Sequence, residues 1–142
     1  MLNAAIGVNP LSFKQIYSLF NTRIFTNANQ FIMSLTLRTT LGCTEAVIDD
    51  DGGLKRFYQI ADILSDDLQV SFTSKEDDFD AISWAFQMGH HQLTLHYSIY
   101  NGISVFPTRT KDARKRDNLA VVELANVLEG KLMSIDMKRH IA

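Results

Sequence analysis

Residues Ser83–Thr108 read SWAFQMGHHQLTLHYSIYNGISVFPT, and the fold turns on how this run pairs with itself. Asn101-Gly102 stands between flanks rich in aromatic and β-branched residues. Asn and Gly both tolerate positive φ, which a two-residue type I′ hairpin turn needs at its central positions. The expectation is a hairpin in which Tyr100 faces Ile103, Ser98 faces Val105 and Tyr97 faces Phe106. A second turn falls at Gly89-His90-His91-Gln92, so that Met88 pairs with Leu93, Phe86 with Leu95 and Trp84 with Tyr97. Side chains alternate across a strand. One face then carries Trp84, Phe86, Met88, Leu93, Leu95, Tyr97, Ile99 and Phe106, with Trp84, Tyr97 and Phe106 as a cross-strand aromatic row. The other face is polar through Ser83, Gln87, Thr94, His96 and Ser98, apart from an apolar corner at Tyr100, Ile103 and Val105.

Working outward, Leu35, Leu37 and Leu41 alternate with Thr36, Arg38 and Thr40, which predicts a half-buried strand over Ser34–Leu41. Glu45–Ile48 reads as a short strand or an extended connection. Asp49-Asp50-Asp51-Gly52-Gly53 breaks the chain. Leu54, Phe57, Tyr58, Ala61, Leu64 and Leu68 then recur at helical spacing, widened by Ile60 and Ile63. The three acids at or before this helix suit its dipole. Val70 and Phe72 mark a short strand, and Ser74–Asp80 reads as an acidic loop. Pro107 ends the last hairpin strand because it cannot donate to a ladder. Val121, Leu124, Ala125 and Leu128, continued by Leu132 and Ile135, predict a C-terminal helix capped by Asp117 and ended or bent at Gly130.

Residues 1–32 differ from this body: Lys14 and Arg23 are their only charges. Asn9-Pro10 opens a predicted helix whose stripe is Leu11, Phe13, Ile16, Tyr17, Leu19 and Phe20. The leader is read as an appendage on a single domain of residues 33–142, with an organelle transit peptide as the less favoured account.

A chain of 142 residues, 46% of them hydrophobic, buries enough surface to fold without disulfides or metal. Cys43 is the only cysteine, which excludes an intramolecular disulfide framework and a cysteine-based zinc site. A net charge of −2 gives no global attraction to nucleic acid or membrane, although residues 1–44 carry +3 and the remainder −5. No run approaches the roughly 20 apolar residues that span a bilayer. The reading is a soluble, cytoplasmic protein without a membrane partner.

Candidate chemistry is sparse. Arg109, Lys111, Arg114, Lys115 and Arg116 gather before the last helix and form a candidate anion site, since free N–H groups and cations together suit phosphate. A solvated loop is the alternative. The aspartate run lacks the glycine and glutamate spacing of a calcium loop, as Leu54 and Ile60 occupy those positions. His90, His91 and His96 have no third ligand at metal-binding spacing. His96, beside Ser98 on the polar face, is at most a base toward a ligand. No metal or cofactor is expected, and no catalytic residue is assigned.

The architecture that follows is an α+β two-layer sandwich, an antiparallel sheet of about five strands in the order β-α-β-β-β-β-α with helices on one face. A profilin-like arrangement with helices on both faces is the alternative if Glu45–Ile48 is a true strand. Tyr100, Ile103 and Val105 form the candidate interface, and the leading functional expectation is a non-enzymatic protein-binding or regulatory module acting as a homodimer. Binding of an anionic ligand or nucleic acid at 109–116, and an enzyme with an unrecognised site, are the rivals.

Overall fold

The computed structural model describes residues 35–141. Its strands are β1 (Thr36–Thr40), β2 (Cys43–Asp49), β3 (Ser71–Asp77), β4 (Ala81–Met88), β5 (His91–Ser98) and β6 (Gly102–Pro107). Its helices are α1 (Leu54–Asp62), which runs into a π-helical turn at Ile63–Asp67, and α2 (Lys115–Ile141). One antiparallel sheet contains all six strands in the order β1-β2-β6-β5-β4-β3. The α+β class is as expected, with six strands where about five were expected. The predicted leader helix and the 1–32 appendage lie outside the described residues.

Both central turns differ from expectation, with opposite consequences. Met88 pairs with His91, so only Gly89 and His90 remain in the first turn. Gly89 takes φ +61°, matching a type II′ turn, which favours glycine first. Every pair slides by an even number of residues: Phe86 meets Leu93 and Trp84 meets Leu95. Even slips leave the faces unchanged, and Trp84, Phe86, Met88, Leu93, Leu95 and Tyr97 stay together as expected.

The second turn slips by an odd number. Ser98 pairs with Gly102 and Tyr97 with Ile103, leaving Ile99, Tyr100 and Asn101 as the loop. The Ser98 hydroxyl accepts the backbone N–H groups of Tyr100 at 3.0 Å and Asn101 at 3.3 Å, which closes a wider turn than Asn-Gly alone would make. An odd slip turns every β6 side chain over. Ile103 and Val105 are therefore fully buried in the core, and Phe106 lies on the opposite face, 5.7 Å from the His96 ring. The aromatic row does not form. Trp84 packs edge-on against Phe57 at 5.1 Å and Phe72 at 5.3 Å instead. The type I′ turn is found elsewhere, at Leu41-Gly42 between β1 and β2, where φ is +52° and +79°.

Both helices pack on the Trp84 face. β2 is a true strand, and among the described residues both helices lie on one side of the sheet, where the profilin-like alternative places helices on both. α1 buries Phe57, Ile60 and Ala61, and the π turn adds Ile63 and Leu64. α2 buries Val121, Leu124, Ala125, Leu128 and Leu132, the stripe expected from its spacing, over β2, β6 and β5. Each such side chain contributes about 1.5–3 kcal/mol relative to exposure. Gly130 does not interrupt α2, which runs through it. Asp117 is not the cap: its N–H and that of Asn118 both donate to the Arg114 carbonyl at 3.0 Å, inside the first turn.

The acidic segment 74–80, expected as a loop, supplies most of β3, with Glu76 opposite Ser83 and Asp77 opposite Ile82. An edge strand keeps its charges in water. Two of them also hold Trp84: the Lys75 ammonium lies 4.2 Å over its ring, and Asp77 accepts its indole N–H at 3.0 Å.

Candidate functional site

The expected interface does not exist as drawn. Ile103 and Val105 are core residues, and only Tyr100, 76% exposed at the loop tip, remains in water. The basic run does stay at the surface. Arg109, Lys111, Arg114, Lys115 and Arg116 are all exposed, and none enters an ion pair among the described residues. The five do not share one backbone element. The Arg109 Nε donates to the Lys111 carbonyl at 3.3 Å within the loop, while Lys115 and Arg116 open α2.

A cavity of about 770 Å³ lies beside that loop, lined by Thr40, Cys43, Glu45, Phe106, Lys111 and Asp112 among others. Cys43 and His96 lie on the sheet face opposite α1 and α2, and Glu45 acts on both. Burial, reinforced by the Glu45 charge, pushes the Cys43 thiol above its ordinary value, so it stays protonated and unreactive near neutral pH. Burial lowers His96 below its usual range, partly opposed by Glu45. His96 Nδ1 and Ser83 Oγ are hydrogen-bonded at 2.8 Å. Among the described residues no carboxylate hydrogen-bonds to the ring, so the pair lacks the orienting acid of a hydrolytic triad. His91 is drawn away from its neighbour, with Nδ1 2.9 Å from Asp117 at the start of α2. His90 remains in the turn. Among the described residues no group of three His, Cys, Asp or Glu side chains could hold a metal ion.

The aspartate run is structural. Asp49 Oδ1 accepts the Asp51 N–H at 3.1 Å, and Arg56 joins Asp49 (3.6 Å) to Asp136 of α2 (3.2 Å).

The two sheet edges are chemically unlike. β3 carries Lys75, Glu76 and Asp77 and a bulge between Phe72 and Ser74, devices that discourage further pairing. β1, Thr-Leu-Arg-Thr-Thr, is exposed at all five positions, lacks a bulge, and has a single charge. That charge, Arg38, leans back toward Glu45 of β2 at 3.6 Å. Asn118 fixes the hairpin in place: its Oδ1 accepts the Thr44 N–H at 3.0 Å and its Nδ2 donates to the Gly42 carbonyl at 2.8 Å. Periodicity could not single out Asn118, because its work is done on backbone groups 76 and 74 positions away. No described helix is long and apolar enough to cross a membrane.

No protein family matches this chain, and neither a curated protein nor a solved structure resembles it closely enough to count as a match.

Proposed function

We propose that this chain is a non-enzymatic protein-binding or regulatory module that acts through self-association. One observation carries the reading: β1 is a fully exposed sheet edge that pairs with no strand but β2 among the described residues, while β3 at the other end is charged and bulged. A free edge offers unpaired N–H and C=O groups to another strand. The interface is thus moved from the hairpin tip to the first strand. The reading places the protein in the cytoplasm, where a lone protonated thiol such as Cys43 persists. Sedimentation of the full chain across a concentration range tests it. A concentration-dependent dimer is expected, and a monomer throughout rejects the reading.

A second reading, binding of an anionic ligand or nucleic acid, is favoured by the five exposed cations of 109–116 standing outside every ion pair among the described residues. Its mark is an affinity for mixed oligonucleotides that falls steeply with salt. Replacing Arg114, Lys115 and Arg116 by Ser should abolish that affinity with stability nearly intact.

A further inference from the structure

We propose that two copies of this chain join β1 to β1, antiparallel across a two-fold axis at Leu37, so that two six-stranded sheets become one continuous sheet. The proposal rests on the self-association reading and adds the partner and the register.

Backbone direction comes first. Thr40 and Cys43 flank the two-residue Leu41-Gly42 turn, and such a flanking pair is hydrogen-bonded. Alternation then directs the N–H and C=O groups of Thr40, Arg38 and Thr36 toward β2. Those of Leu35, Leu37 and Thr39 point away from β2, where no other described strand pairs. A two-fold axis perpendicular to the sheet keeps both helix layers on the same side and pairs only residues that share a face.

Centring on Thr36 or Thr40, at the ends of β1, pairs the least of the strand, and side-chain chemistry separates the three interior centres. Centring on Arg38 sets two guanidinium groups directly opposite in a non-hydrogen-bonded pair, where the strands' Cα atoms approach to about 4.5 Å. Like charges so placed are destabilising. Centring on Thr39 sets Leu37 against Leu41, which lies in the turn at φ +52° and is not extended. Centring on Leu37 meets neither obstacle. Leu37 faces Leu37 of the second copy on the helix side, Arg38 faces Thr36, and Leu35 faces Thr39. All three outward-pointing residues of each edge then pair. Leu37, 47% exposed, is covered by its own copy.

The test uses the full chain with Cys43→Ser, so that an introduced cysteine is the only thiol. Hydrogen-bonded antiparallel partners have Cα atoms about 5.5 Å apart, within disulfide reach, whereas residues offset by two exceed it. Leu37→Cys should therefore cross-link under mild oxidation, and Arg38→Cys should not. Leu37→Pro removes an outward N–H and none of those bonded to β2, so the far-ultraviolet spectrum should persist while the dimer dissociation constant rises at least tenfold. If Arg38→Cys cross-links instead, the register is wrong. If the parent dimerises but neither cross-linking nor the proline change touches that dimer, the β1 pairing is overturned and self-association through another surface stands. A monomeric parent removes both.

Discussion

Gly102 lies against the backbone of Asp49 so closely that a β-carbon at position 102 would overlap the Asp49 carbonyl oxygen. Two demands meet there, since Gly102 also holds φ +75°. Gly89 has a similar φ of +61° but open space around it. Gly89→Ala should thus cost only backbone strain, about 1 kcal/mol, while Gly102→Ala adds overlap of about 1–3 kcal/mol. Urea denaturation of the two variants side by side measures the difference. Equal losses would mean that β6 does not abut the end of β2 as described.

Ile103 and Tyr100 are three residues apart and energetically unlike. Ile103→Thr places a hydroxyl in a fully buried apolar site and should cost about 2–4 kcal/mol. Tyr100→Ser should stay within about 0.5 kcal/mol, as for most exposed positions. The denaturation midpoints decide it, and a neutral Ile103→Thr would restore the register expected from Asn101-Gly102.

Asn118 fastens the β1–β2 hairpin to α2 through two hydrogen bonds. Asn118→Ala leaves the Thr44 N–H and the Gly42 carbonyl without that partner, at a cost of about 1–2 kcal/mol. Asn118→Asp should recover part of the loss, because it can still accept from Thr44. Amide exchange in β1 and β2 should quicken more than in β4 and β5.

His96 gives the fold an acid sensitivity. Its folded-state pKa lies below the unfolded value of 6.5, so the unfolded chain binds the proton more readily. The stability this supplies is present above about pH 6.5 and is lost as the pH falls toward the depressed folded value. Cys43 works in the alkaline direction: with its pKa raised above 9.0, stability declines as the pH climbs past 9.0 and the unfolded thiol ionises first. The urea midpoint of the parent should therefore fall between pH 7.5 and 5.5 more than that of His96→Gln. Parallel profiles would exclude the histidine as the cause.

Much of the fold was legible because periodicity reports which face is buried. The α2 stripe and the β4–β5 core face were read correctly even though their register was two residues off, since an even slip leaves the pleat unchanged. β6 departs from expectation because the Ser98 hydroxyl binds the Tyr100 and Asn101 N–H groups and widens the loop that Asn101-Gly102 alone would make. That odd slip turned the expected patch Tyr100, Ile103 and Val105 inside out. β3 is expected at Val70 and Phe72, but its continuation to Asp77 stays hidden because those charges resemble a loop; the strand character there comes from pairing with β4. The edge asymmetry was hidden as well, because strand order is a tertiary property and nothing local announces that β1 lies at the rim.

That strand order also sets a schedule for synthesis. β3 to β6 form a meander in which each strand pairs with the next to leave the ribosome. β2, by contrast, waits for β6: Ala46 must find Val105. At roughly 5–20 residues per second, the wait lasts on the order of 3–12 s. Throughout it Ala46, Val47 and Ile48 present an apolar strand with one side unpaired. A nascent chain stalled before Ile103 therefore holds its first hairpin open on the side that the last strand will later fill, and chaperone capture should concentrate on that interval of translation.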